Sequence, residues 1–596
     1  MKLSLCRPKE GYPTDVRRPG KHTMTRLAAW AAATTAFTVT LRLNLFTLAQ
    51  IPRAATRVPW MDEWVTLHEF SEYEHGASLG RILWSSYWGH RLVIPRLIFF
   101  ADTRWASRGS LTWLTLLVQF THIVLLAALA WALFRKRSFL YFALSTVAIF
   151  NLMLSPSQME NFVWSMQTMF PLVYAAGTVS FFCLALGARK KPITFTVLSI
   201  AAGLAGSLTM PNGVLIWPVL VAQALYLKLS RRCTIALAAI GTAVVLLYGW
   251  NYQTPALGLG AGGMLRHPLD AAMLIGLLLG GPLDSFPPGV RIATGLMTVV
   301  GAGYVAVHAL RGDGAERRWV SVLLAASLFL LLSAASIVAG RLGPEWLDSK
   351  LDLPSRYFTL LCTFWTTIAI LVLYGWSRQL PGRATLSILS VMLCLLLFPH
   401  PKRQRDLAED WADFFRGADA VGAAILLDAP DEGLLRNLFA VKAERDESVA
   451  FLRRRHIGVF AEARAQWPGK RLSEAFRVIA ETPCTGAIEK ATPLTASDSA
   501  AWRVEGWAVD SELKRAPDDL VITDPTGEIV GLGRGGFRHR YFPGFFTDTE
   551  SPLVLHAGLR RSEWLGYVRE SASKPWTVYG VWPREGRICQ VAAAPR

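Results

Sequence analysis

Eleven apolar runs occupy the first two-thirds of this 596-residue chain, and they decide what it can fold into. They lie at 27–49, 111–134, 138–154, 170–188, 193–210, 213–230, 233–251, 291–310, 319–339, 358–376 and 384–398. A helix needs roughly 20 apolar residues to cross about 30 Å of hydrocarbon. Most of these runs fit, and 384–398 is the short one. Charged residues are only 18% of the chain and its mean hydropathy is +0.31, against about 25% charged in soluble domains. Disorder, a fibrous repeat and one large soluble enzyme are excluded. Seven cysteines also exclude a disulfide-dense scaffold.

The net charge is +18. Its distribution matters more than its size. Short basic clusters separate alternate runs: the tail 1–26, Arg135-Lys136-Arg137, Arg189-Lys190-Lys191, Lys228 with Arg231-Arg232, Arg311 with Arg317-Arg318, and Arg378 with Arg383. They hold 21 basic residues against four acids (Glu10, Asp15, Asp313, Glu316), leaving only one positive charge for the rest of the chain. A nucleic-acid surface concentrates its charge on one domain; here it follows the positive-inside rule. Eleven crossings then put the N-terminus in the cytoplasm and everything beyond about 399 outside, as in a multi-pass protein of a bacterial inner membrane. Residues 269–282 are apolar but short, and counting them as a crossing would reverse every later loop. They read as a re-entrant segment. The length of the first run, and Arg42 within it, favour a retained helix over a signal peptide.

Four parts follow: a basic cytoplasmic tail (1–26), a transmembrane domain (27–398), an exported helical linker (399–480) and an exported β-sandwich (481–596). The last shows alternating strands such as AWRVEGWAVD and LVITDPTGEIVGLG, with Asp524-Pro525-Thr526-Gly527 as a hairpin turn. Only Cys484 and Cys589 belong to the soluble part, near its first and last strands, and are predicted to pair in an oxidising compartment.

The outward loops hold the candidate chemistry. Asp62 and Glu63 stand between Trp60 and Trp64, where aromatic neighbours raise a carboxyl pKa toward that of a general base. His90, Arg91 and Arg96 follow. Arginine stays charged in apolar surroundings and grips phosphate bidentately. Glu160-Asn161 lies in the second outward loop as a second carboxylate, and Arg341, Arg356 and Tyr357 lie at helix ends on the same face, against the inward bias of basic residues. Each group has a plainer reading: an interfacial tryptophan belt, snorkelling arginines, a helix cap. His68, Glu69, Glu72, Glu74 and His75 match no zinc spacing and read as a solvated acidic helix. No P-loop, GxGxxG after a strand, HExxH or GxSxG occurs, which argues against a nucleotide-driven pump.

One crossing followed by a long outward loop with an acidic pair resembles the GT-C superfamily of integral-membrane glycosyltransferases. Asp62-Glu63 is similar to the acidic motif of protein O-mannosyltransferases and of aminoarabinose and arabinofuranosyl transferases. The series MDEW, GHRLVIPRL, MENFVW and PSRY resembles a bacterial branch of GT-C-like proteins, with Gly89 where the second motif usually begins with Glu. The resemblance covers 27–398 by layout.

It implies a sugar donor on a polyprenyl phosphate and a glycan, lipid or protein acceptor. Asp62 would be the base in an inverting transfer, with Glu63 beside it and Glu160 and Asn161 placing the acceptor. His90, Arg91, Arg96, Arg341, Arg356 and Tyr357 would hold the lipid phosphate. The resemblance names no definite cofactor and leaves room for a divalent cation. Membrane lipids are partners and nucleic acid is not. The rivals are a polysaccharide polymerase or ligase and a lipid-linked sugar flippase; the latter needs ionisable groups at the midplane, where the few are chiefly Arg42, His122 and His308.

Overall fold

Serines set the start of two crossings. Ser138 and Ser230 follow or precede basic residues, and each side chain accepts a backbone N–H of the first turn, from Leu140 and Cys233. The computed structural model describes residues 21–106, 109–189, 192–252, 260–283, 286–310, 314–341, 354–379, 387–388, 390, 401–476, 480–496, 500–537, 561–583 and 585–593.

Seven helical stretches among these are long and apolar enough to cross a membrane: Thr112–Phe134, Phe139–Val163, Ser165–Gly187, Arg231–Gly249, Pro288–Ala309, Glu316–Arg341 and Ser355–Ser377. The chain is a multi-pass membrane protein with a C-terminal sheet. The other four expected crossings differ. Lys21–Ala54 is a 34-residue helix, but its threonines, Arg42 and Asn44 lower its hydropathy and it is not among the seven. Pro192–Ser207 and Pro211–Tyr226 are apolar but short. The run 384–398 lies largely outside the described residues. The 12-residue helix Pro268–Leu279 is about 18 Å long at 1.5 Å per residue, too short to cross. It turns back along Pro288–Leu310, with Gly295 so close to Gly276 that a Cβ there would lie 2.0 Å from the Gly276 carbonyl oxygen.

The two ends of the helix bundle are unlike. At one end the basic loops converge. Arg137 pairs with Glu316 at 2.8 Å, Glu316 also meets Arg378 at 3.6 Å, and Arg317 donates to the Tyr226 carbonyl at 2.6 Å. At the other end stand the segments bearing Asp62, His90, Glu160, Arg341 and Arg356, together with the described residues from 401 onward.

That region is no linker followed by a sandwich. Pro401–Leu427 is one 27-residue helix packed on Lys21–Ala54. Trp60 lies against Trp164, Phe414 and Phe415, with ring centroids 4.6, 5.2 and 5.4 Å away, which joins the first two outward loops to this helix. Eight strands follow: β1 (Ala480–Glu481), β2 (Cys484–Thr495), β3 (Ala500–Asp510), β4 (Asp519–Thr523), β5 (Ile529–Phe537), β6 (Glu563–Arg569), β7 (Thr577–Trp582) and β8 (Arg587–Ala593). They form one sheet in the order β1-β8-β7-β4-β5-β6-β3-β2, antiparallel except for β1 with β8. The sheet curls into a half-barrel, and its two flanks are tied by the Cys484–Cys589 disulfide, as expected.

The sandwich expectation fails because alternation records two buried faces, not what covers them. Val504, Ile522, Trp564 and Val578 fill the inside of the curl. Val521, Leu532, Leu565 and Tyr567 on the outer face join the main core, where the Pro401–Leu427 helix covers β5 and β6. The expected 524–527 hairpin is present: Asp524 accepts from the Thr526 N–H at 2.8 Å, and Gly527 takes φ +80°.

Candidate active site

Asp62 and Glu63 open the Asp62–Glu74 helix. Neighbours on a helix point about 100° apart, so the pair divides. Asp62 is half-buried and accepts a 2.7 Å hydrogen bond from the Tyr87 hydroxyl. Burial, then the Asp62 carboxylate, pushes the Tyr87 phenol up, so it stays a donor. Glu63 is buried and turns inward, accepting from the Trp60 N–H at 2.9 Å and from Ser165 and Met166. Burial raises its carboxyl to about 7 against those hydrogen bonds. Its place is a brace between the first two outward loops.

A prediction follows for Glu63. Its pKa is about 7 folded and about 4.5 as a free side chain. Its contribution to stability is therefore complete below about 4.5 and is lost as pH rises through 7. Glu63→Gln keeps the acceptor and cannot ionise. In thermal melts of the purified protein the variant should gain on wild type between pH 5 and pH 8, by on the order of 3 kcal/mol. An offset equal at both pH values would contradict this.

Tyr87 and His90 exchange backbone hydrogen bonds of 2.9 and 2.8 Å across a two-residue turn. Both turn residues have positive φ, Trp88 at 48° and Gly89 at 77°, as a primed hairpin turn requires. Gly89 thus has a backbone reason to be glycine. The turn delivers His90 to Arg341, whose guanidinium donates to His90 Nε2 at 2.7 Å and to the Trp88 carbonyl at 2.8 Å. Burial, then the charges of Arg341 and Arg356, hold the imidazole down at about 4. It is neutral, so with Nε2 accepting, Nδ1 carries the proton. That Nδ1 is buried and has no partner among the described residues.

The charge of Arg356 also acts on this imidazole, and its guanidinium lies 5.7 Å from the Tyr357 ring. Among the described residues neither Arg341 nor Arg356 has a carboxylate within 4.0 Å. Tyr357 itself is buried against Phe170. Glu160 is buried and caps the Ser355–Ser377 stretch, accepting from the Ser355 hydroxyl and the Arg356 N–H. Asn161 donates to the Arg356 carbonyl at 3.0 Å and to Thr359 at 2.7 Å. The expected cap is real, but it serves a helix nearly 200 residues further along the chain.

Two expected phosphate ligands are engaged elsewhere. Arg91 is buried and donates to the carbonyls of Trp84, Tyr248 and Trp250. Arg96 is buried and held by Glu69 at 2.6 and 2.8 Å and by the Ser85 carbonyl. They are struts of the 84–96 segment. Nor is the 62–74 helix a solvated acidic face: besides Glu69, Glu74 pairs with Arg455 and Arg104, and His68 with Glu447. Among the described residues no cluster of three His, Cys, Asp or Glu side chains could hold a metal ion.

The residues missed by sequence reading are Tyr87 and Ser355. Only their adjacency to Trp88-Gly89-His90 and to Arg356 could have pointed to them. A half-buried carboxylate, a neutral imidazole whose Nδ1 has no partner among the described residues, and two guanidiniums with no carboxylate within 4.0 Å among them thus stand at one end of a membrane bundle. This combination suits proton abstraction beside a bound anion. No protein-family model, curated protein or solved structure matches the chain.

Proposed function

We propose that this protein is a GT-C-like membrane glycosyltransferase that takes a sugar from a polyprenyl-phosphate donor. The acceptor is a glycan, lipid or protein of the cell envelope, and the reaction occurs on the face of the membrane away from the cytoplasm. In this reading the N-terminal tail is cytoplasmic, the membrane is the bacterial inner membrane, and the half-barrel domain is exported. The layout of short basic loops at the opposite end supports that sidedness.

The observation that carries the reading is the link from Asp62 through the Tyr87–His90 turn to Arg341 and Arg356. Asp62 removes the proton of an acceptor hydroxyl while Tyr87 orients the carboxylate. The acceptor oxygen bonds to the anomeric carbon from the face opposite the leaving group. The bond from that carbon to the phosphate oxygen breaks, and the lipid phosphate departs with the electron pair. Arg341, Arg356 and His90 Nδ1–H receive the charge that develops on it. Glu160 and Asn161 position the segment that bears Arg356.

Asp62→Asn keeps an acceptor for Tyr87 and removes the base. A general base contributes about 10²- to 10⁴-fold. Cells producing Asp62→Asn at normal membrane abundance should lose the glycan product, read by mass spectrometry of envelope glycans, and Asp62→Ala should match it. Full product in both variants would remove Asp62 from the chemistry and favour a polymerase, ligase or flippase that needs no base in this loop.

A further inference from the structure

A cavity lies toward the end of the bundle opposite Asp62 and Arg341. It has a volume of about 520 Å³ between Ile216–Tyr226, Pro288–Leu310, Glu316–Arg341 and Ser355–Ser377, within the roughly 300–1,000 Å³ of small-ligand sites. Its lining is almost wholly apolar. Gly303 and Leu328 on its wall are exposed on the bundle surface, so it opens sideways, where the surroundings of a membrane helix are hydrocarbon. Of the residues that line it from Glu316–Arg341, all but Leu331 fall in the first half of that stretch, toward the basic loops.

The polar atoms are gathered at that basic end. Tyr226 lines the cavity, and its hydroxyl oxygen lies within reach of the Arg317 side chain, which leaves the O–H free to donate. Gln223, one turn earlier and only 4% exposed, donates to the Phe181 carbonyl and Ser321, while its own Oε1 has no partner. Arg317 stacks on the Tyr226 ring at 4.4 Å, and its Nε is likewise unpartnered. Arg318 beside it feels the charges of Arg135 and Arg189. Among the described residues neither Arg317 nor Arg318 has a carboxylate within 4.0 Å.

We infer that this cavity binds an anionic phospholipid from the leaflet on the basic-loop side, one acyl chain filling it and the phosphate resting on Arg317. The lateral opening selects a ligand that arrives through hydrocarbon. The Arg317 guanidinium, with no carboxylate within 4.0 Å among the described residues, selects a negative headgroup, and the Tyr226 hydroxyl supplies a donor to an ester carbonyl or phosphate oxygen. The site is at the opposite end from Asp62 and Arg341, and it holds whatever reaction occurs there.

The test is native mass spectrometry of the full-length protein in mild detergent with equal amounts of dioleoyl phosphatidylglycerol and dioleoyl phosphatidylcholine. Wild type should retain the anionic lipid roughly five- to tenfold better, the preference one basic contact confers. Arg317→Gln should bring the ratio close to one. Gly303→Leu should reduce retention of both lipids, since Gly303 lines the cavity and a Cβ there meets nothing within 4 Å. Equal retention of the two lipids by wild type, an unchanged ratio in Arg317→Gln, or undiminished binding in Gly303→Leu would each overturn the assignment. If Arg317→Gln fails to fold, wild type and Gly303→Leu still decide it.

Discussion

Arg341→Ala should reduce glycan product by about 10²- to 10³-fold per membrane-embedded protein, the usual cost of removing one preorganised donor from a developing anion. Arg341 acts in two ways. Its guanidinium faces the neutral His90 without a described acidic partner, and it fastens Trp88 and His90 in the turn that also carries Tyr87. Arg341→Lys keeps the charge but not the forked geometry, and should recover only a small part of the rate. Arg356→Ala should lose a comparable amount while leaving the turn in place. The pair therefore separates charge from scaffolding: if Arg341→Ala fails through the turn alone, Arg356→Ala will be near wild type. Wild-type product in both alanine variants would mean that no anion is bound there.

The second large effect lies outside the membrane. Asp419 is buried and accepts from Thr56 at 3.0 Å, Arg464 at 2.7 Å and Arg534 at 2.5 Å. It thus ties the first outward loop, the Pro401–Leu427 helix and β5 to one point. Burial by itself would raise its carboxyl; Arg464 and then Arg534 outweigh that and hold it at about 2. Asp419→Ala leaves these guanidiniums buried with one acid fewer, and breaking such a pair costs about 3–5 kcal/mol. The expected readout is proteolysis within the half-barrel domain, at protease levels that leave wild type intact. The sign with pH follows. The folded pKa is about 2 and the free value 3.8, so this contribution is whole above about pH 4 and is lost as pH falls toward 2. Equal protease resistance of wild type and Asp419→Ala would show the network to be dispensable.

Much of the helix layout was legible because the hydrocarbon slab imposes a length. Seven expected runs appear as long apolar helices, and the short 269–282 run remains too short to cross. Other features depend on partners distant in sequence. Which of Asp62 and Glu63 faces outward is decided by Ser165 and Met166, about 100 residues away. Arg91 and Arg96 have the same chemistry as Arg341 and Arg356, but Tyr248 and Glu69 occupy the first two. Strand alternation was read correctly, yet a sheet covered by its own curl and by a helix has the same pattern as one covered by a second sheet. The Cys484–Cys589 pairing was legible because the soluble part offers only two cysteines.

Sidedness is the claim on which the rest depends, and accessibility labelling measures it. In a background with the unpaired cysteines replaced, Ser78→Cys marks the end bearing Asp62, and Lys136→Cys marks the basic end; both positions are exposed. With a membrane-impermeant maleimide, Ser78→Cys should react in intact cells from which any outer membrane has been opened, and Lys136→Cys only after the inner membrane is breached. The reverse order, or equal labelling of both from one side, would contradict the account.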